Sequence, residues 1–119
     1  MGIDMGIDVA CHLNVLVPDL EAPRLAFGRV CLVGDAAFVV RPHAAAGTAK
    51  AADDAWKLAE ALAEQPDVEA ALRAWEPGRL ELGRRLLART RSIGRRSQVD
   101  CNWTPGDPEL IYGLYEPGR

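Results

Sequence analysis

Apolar and polar positions along the 119-residue chain fall into segments of different period. Val9 to Val17 is mostly apolar, contains β-branched valines and is stopped by Pro18-Asp19, which predicts a strand. Val30 to Val33 is a continuous apolar run between Arg29 and Gly34, the pattern of a central strand covered on both faces. From Thr48 to about Glu64 no glycine or proline interrupts the chain. There Ala51, Ala55, Leu58, Ala59 and Leu62 recur on one face at helical spacing, with Lys50, Asp54, Lys57, Glu60 and Glu64 opposite. The pattern predicts a helix whose buried face is mainly alanine, able to approach a sheet or a ligand closely. Asp53 and Asp54 near its start suit the helix dipole, and Asp53 stands four residues before Lys57, at ion-pair spacing.

Gln65-Pro66-Asp67 ends this helix and offers Asp67 as the N-cap of a second, with Leu72 and Trp75 on its apolar side. Pro77-Gly78 is expected to break or kink it. A third helical pattern runs from about Arg79 to Arg95, with Leu80, Gly83, Leu87 and Thr90 in one stripe and Leu86 and Ile93 along its edge. Thr104 to Pro108 is a turn cluster, and Glu109 to Tyr115 is expected to form a short terminal helix carrying both tyrosines. Trp56 and Trp75 are read as core residues facing neighbouring elements. Trp103 has no assigned place.

Length and composition narrow the possibilities. A chain of this size is one small domain that buries about two thirds of its unfolded surface. Its 49% hydrophobic and 26% charged residues oppose wholesale disorder. A net charge of −3 argues against chain-wide affinity for nucleic acid or anionic membrane. The basic residues are nevertheless concentrated between Arg73 and Arg96, opposed only by Glu76 and Glu81. With its one aromatic residue, Trp75, read as core rather than as a stacking platform, this stretch reads as a solvated helix face, or one facing acidic parts of a larger protein. Cys11, Cys31 and Cys101 suggest neither a disulfide framework nor a zinc knuckle, and Cys11-His12 lacks further ligands at metal-site spacing. No run approaches a membrane span and no signal peptide is evident, so a cytoplasmic location is expected. The doubled Met-Gly-Ile-Asp quartet at residues 1–8 is too short for a structural repeat.

The chemistry lies between Gly28 and Thr48. A strand ending in Gly34-Asp35 places a carboxylate at the carboxyl edge of a sheet, where open α/β folds bind ligands. An ionised Asp35 accepts hydrogen bonds from sugar-alcohol hydroxyls, and Gly34 lets the main chain come close; the alternative use of Asp35 is to cap the following turn. Ala44 to Gly47 has almost no side-chain bulk, so a planar ligand can lie on the backbone. The helix beginning near Thr48 then presents unpaired N–H groups with partial positive charge. His43 is placed where an acid or base could act, but its plainer use is to shape the turn or face solvent.

The run from Pro18 through Leu62 resembles the flavin-binding segment of class A FAD-dependent aromatic monooxygenases, the para-hydroxybenzoate hydroxylase group. Arg41-Pro42-His43-Ala44-Ala45-Ala46-Gly47-Thr48-Ala49-Lys50 is most similar to the form found in 2,6-dihydroxypyridine hydroxylase-like enzymes, and a looser likeness continues to Pro105-Gly106-Asp107-Pro108. The resemblance implies an FAD site in which Asp35 holds the ribityl chain, with Gly34 and Ala36 near the pyrophosphate. Pro42 would then sit beside the reactive edge of the isoalloxazine, and the backbone of Ala46, Gly47 and Thr48 would bond its pyrimidine edge. It also implies, for the intact enzyme, reduction of the flavin by NAD(P)H, a C4a-hydroperoxide formed with oxygen, and transfer of one oxygen to a small aromatic or hydroxypyridine-like substrate.

Such enzymes carry a Gly-x-Gly-x-x-Gly fold and a substrate-pocket domain, and neither is recognised in this sequence. The expectation is therefore a C-terminal fragment of such an enzyme, too short to enclose flavin and substrate together and so not expected to be active alone. The expected fold is α/β: a fragment of a Rossmann-like FAD-binding domain with one or two strands and three or four helices, helix-rich overall. Residues 1–17 form an atypical extension or strand, and 18–119 belong to the FAD-binding part. No catalytic residue and no metal is assigned to this chain, and any FAD affinity of the chain alone is expected to be weak. A different reading is a truncated, non-catalytic remnant that self-associates or joins another chain.

Overall fold

A computed structural model describes residues 18–41, 46–102, 104–111 and 113–116. Four two-residue strands precede two long helices: β1 (Leu20–Glu21), β2 (Ala26–Phe27), β3 (Val30–Cys31), β4 (Phe38–Val39), α1 (Gly47–Glu64) and α2 (Val68–Gly94). The architecture is α/β and helix-rich, as the sequence predicts. The strand Val9–Val17, Cys11, His12, Pro42, His43 and Trp103 lie outside the described residues.

β1 pairs antiparallel with β4, Leu20 opposite Val39 and Glu21 opposite Phe38. β2 and β3 form a hairpin, Ala26 opposite Cys31 and Phe27 opposite Val30. Its two-residue loop, Gly28-Arg29, begins at φ +61°, the left-handed conformation a glycine adopts without strain. The run Val30–Val33 is thus not a central strand. Only Val30 and Cys31 are in a ladder, and Val30 is 62% exposed because no strand among the described residues covers its outer side.

The position of α1 was predicted well and its buried face was not. Lys50 and Asp54 are buried, Ala51, Leu58 and Ala61 are partly buried, and Ala55, Ala59 and Leu62 are exposed. The buried stripe Lys50-Asp54-Leu58-Ala61 is offset by about one position, or about 100°, from the alanine stripe read from hydropathy. Charged groups enter an interior when they are paired. Lys50 is bonded to Asp54 one turn on, its ammonium lies 4.8 Å above the Phe38 ring, and Arg79 Nη1 stands 3.6 Å from the second Asp54 oxygen. Asp53 pairs with Arg79 rather than with Lys57, which takes Glu60 at 2.8 Å.

Asp67 caps α2 as predicted, its Oδ1 accepting the Ala70 N–H at 2.8 Å. Pro77 neither breaks the helix nor separates a third one from it, and α2 runs unbroken for 27 residues. The carbonyl deprived of its donor is that of Arg73; both residues lie on the exposed face, where water can serve it. After α2 come a single π-helical turn, Arg95–Val99, the expected turn with Gly106 at φ +83°, and a short 3-10 turn, Pro108–Leu110. Ile111 and Gly113 to Tyr115 are not helical, contrary to the sequence expectation, and the carbonyls of Ile111 and Gly113 accept hydrogen bonds from Arg89.

Two apolar clusters hold these elements. Leu25, Ala26, Ala37, Phe38, Leu72, Trp75 and Leu87 form one, and Ala46, Leu82, Leu86 and Ile93 the other, with Val40 against both. Gly83 lies where α2 crosses the Phe38 ring, and a Cβ there would overlap it. Trp75 is core as expected, its Nε1–H donating to the Asp54 carbonyl at 2.9 Å. Trp56 is not: it is 68% exposed and donates to Glu60 at 2.8 Å.

Candidate functional site

Between β3 and β4, Gly34–Ala36 forms one 3-10 turn closed by the Ala37 N–H on the Gly34 carbonyl at 3.0 Å. Gly34 sits at φ +66°, and an added Cβ would lie 3.8 Å from Ala51 Cβ, so the turn rests against the opening turns of α1. Asp35 and Ala36 are exposed on it.

α1 begins at Gly47 behind a buried N-cap, Ala46, whose carbonyl accepts the Lys50 N–H at 2.8 Å. Alanine has no side chain to return a hydrogen bond, and no acidic residue occupies the first turn. The N–H groups of Gly47, Thr48 and Ala49 precede the first intrahelical bond, so this helix end presents donors and partial positive charge. The Gly34–Ala36 turn therefore packs against the opening turns of the helix that starts at Gly47 behind Ala46. Pro42 lies outside the described residues.

The loop that joins β4 to α1 is moored at its near end. Arg41 donates from Nε and Nη2 to the two Asp19 oxygens at 3.2 and 3.1 Å, and Arg91 of α2 donates to the same carboxylate at 2.8 Å. Burial works to raise the Asp19 pKa, but the two guanidiniums outweigh it and hold the carboxyl below its ordinary value. On the opposite side, Glu76 of α2 accepts the N–H groups of Leu25 and Ala26 at 2.6 and 2.9 Å and so ties the hairpin down. Burial raises the Glu76 pKa, and the two backbone donors more than reverse it. These anchors escaped the sequence reading, because their partners lie about fifty or more residues away in most cases and leave no local signature.

The basic stretch of α2 is largely engaged within the chain. Arg79 pairs with Asp53, Arg84 with Glu21 at 2.7 Å, Arg91 with Asp19, and Arg96 with Asp107 and Glu109. A surface hollow of about 440 Å³ between Arg29, Asp67, Val68, Glu69 and Arg73 shares no residue with the turn or with the start of α1. Among the described residues no group of three or more His, Cys, Asp or Glu could hold a metal, and no helix is long and apolar enough to cross a membrane.

Comparison with known proteins identifies the family. The family model described as FAD binding domain matches residues 17–90. The chain is 38% identical over 93% of its length to 2,6-dihydroxypyridine 3-monooxygenase of Paenarthrobacter nicotinovorans. It is 41% identical over 68% of its length to 3-hydroxy-4-methyl-anthranilyl-[aryl-carrier protein] 5-monooxygenase of Streptosporangium sibiricum. The solved structure of 2,6-dihydroxypyridine-3-hydroxylase from Arthrobacter nicotinovorans superimposes with a TM-score of 0.75 at 40% identity over 85% of the chain. The chain spans 28% and 22% of the two relatives and 26% of the solved chain. With more than half of its residues matched by that model, and flavin-type monooxygenases as its relatives in sequence and structure, the chain belongs to the FAD binding domain family as found in flavin monooxygenases.

Proposed function

We propose that residues 18–119 hold the ribityl and isoalloxazine side of FAD, as the C-terminal part of a flavin-dependent aromatic-ring hydroxylase. The carrying observation is the packing of the Gly34–Ala36 turn against a helix start whose N-cap residue, Ala46, has no side chain to cap it. The residues fit the cofactor chemically. Asp35, exposed on the turn, is an acceptor for ribityl hydroxyls, and Gly34 and Ala36 leave the main chain open beside the pyrophosphate. The N–H groups at Ala46, Gly47 and Thr48 would donate to the pyrimidine edge, where negative charge gathers on reduction. Packing does not explain Gly47, since a Cβ there would make only an ordinary 3.5 Å contact to Val40; a ligand lying on the backbone would. Pro42 would flank the reactive edge.

FAD, when bound, supplies the redox chemistry: it takes reducing equivalents from NAD(P)H and activates oxygen for insertion into an aromatic ring. The chain's own share is to bind, orient and polarise, and it assigns no acid or base of its own. The substrate class that fits is a small electron-rich aromatic such as a hydroxypyridine, in keeping with the name of the 38%-identical relative.

Titration of the purified chain with FAD tests this reading. Saturable binding with a perturbed visible flavin spectrum is expected, and Asp35→Ala should weaken it about tenfold, the loss of a charge-assisted hydrogen bond. Absence of binding at millimolar flavin would defeat it. That outcome would favour a non-catalytic remnant that associates with a partner or with itself through exposed apolar residues such as Phe27 and Val30 on the hairpin.

A further inference from the structure

The segment after the π-helical turn folds back over α2 and is fastened to the body at several points. Arg96 donates to Asp107 and, at 2.8 Å, to Glu109. Arg89 donates from Nη1 to the Gly113 carbonyl at 2.6 Å and from Nη2 to the Ile111 carbonyl. Tyr115 lies beside the Asp53–Arg79 pair of α1 and α2. Next to the Arg89 fork Gly113 is buried, and Leu114 packs against the cluster of Ala46, Leu82, Leu86 and Ile93.

Ala46 is the N-cap of α1, and its carbonyl receives the first hydrogen bond of that helix. An alanine cap cannot anchor itself with a side-chain bond, so whatever packs on it determines how firmly the helix start is held. We propose that Ile111, Gly113 and Leu114 form a positioning element of the cofactor site, in which Leu114, clamped by the Arg89 fork on Ile111 and Gly113, braces the cluster containing Ala46 and fixes the donors at the start of α1. Its functional consequence rests on the FAD reading above. Donors already fixed in place bind a ligand better than donors that must first be ordered, so loosening the brace weakens FAD binding without removing any contact to FAD.

Leu114→Ala, Leu114→Met and Arg89→Gln in the full chain test this. In cofactor-free protein, Leu114→Ala and Arg89→Gln should speed hydrogen exchange at the Lys50 amide about tenfold, and Leu114→Met should restore it. The Ala71 amide, which makes the equivalent first bond of α2 to the Asp67 carbonyl at 3.0 Å, should not change. With FAD, Leu114→Ala should raise the dissociation constant about tenfold and move the bound-flavin spectrum toward that of free flavin. Equal acceleration at Lys50 and Ala71 would mean general loss of stability and would overturn the proposal, as would an unchanged Lys50 amide or an unchanged FAD affinity. If the unaltered chain binds no FAD, the functional reading fails on its own account, and the Lys50 amide alone then decides whether the tail braces the helix.

Discussion

The two long helices begin in opposite ways. α2 starts behind Asp67, whose carboxylate accepts the Ala70 N–H, and carries Glu69 at its second position. α1 starts behind Ala46 with Thr48 at the equivalent position and has neither a side-chain cap nor a first-turn acid. One helix start is completed by its own sequence and serves the fold. The other has neither from its own sequence; one turn on, Lys50 and Asp54 form a buried pair, and Ala46 belongs to an apolar cluster with Leu82, Leu86 and Ile93. A helix whose first turn has no cap or acid of its own must be secured by packing and pairing elsewhere.

The strongest test of that division is to break the internal fastening of α1. Asp54→Ala leaves the Lys50 ammonium buried without its carboxylate and should destabilise the fold by about 3–5 kcal/mol in denaturant unfolding. The double change Lys50→Met with Asp54→Leu should cost less than the single one, because no charge is then buried alone. A double change as costly as the single would show that the pair is not what holds α1.

α2 also supplies a carboxylate to another element's backbone, and this gives the next largest effect. Glu76→Gln should cost about 1.5–3 kcal/mol at pH 7, the range for hydrogen bonds to a charged group. The folded-state pKa of Glu76 lies below its unfolded value, so its stabilisation is complete above the ordinary carboxylate range and is lost as pH falls through the lowered value. Melting curves of the two proteins between pH 7 and pH 3 should therefore converge toward the acid end. A gap that stays constant would contradict the assignment.

Making the two helix starts alike sharpens the contrast. Thr48→Glu gives α1 the acid that Glu69 gives α2; it should raise stability by about 0.3–1 kcal/mol and weaken FAD about tenfold, since the new carboxylate competes for the same donors. Unchanged flavin affinity would place the ligand elsewhere. The smallest change is expected from the reverse operation: Asp67→Ala should cost about 1 kcal/mol, read in thermal melting, and leave FAD affinity per folded molecule unaltered.

Much of this organisation could be read along the chain, and the failures share one cause. The extent of α1, the Asp67 cap and the turn at Gly106 depend on residues within a few positions of each other. The rotation of α1 does not. Hydropathy sends Lys50 and Asp54 outward, whereas Phe38 and Arg79, distant in sequence, make an interior position acceptable for both. Pro77 appeared to be a helix breaker because the rule concerns hydrogen bonds, while its neighbour Arg73 faces solvent and loses little. Trp56 appeared to be core because it is large and apolar, yet it lies on the face that the same rotation turned outward.

The sequence by itself determined where the long helices and turns form and which short segments resemble those of FAD-binding proteins, since propensity, capping and motif spacing act over one or two turns of chain. Only the tertiary structure decided which face of α1 is buried, that Asp19 and Glu76 moor the loop and the hairpin, and that Leu114 of the tail packs on the cluster containing Ala46. Those outcomes depend on charges and backbone groups that meet only after the chain has folded, when burial and pairing act together on residues tens of positions apart.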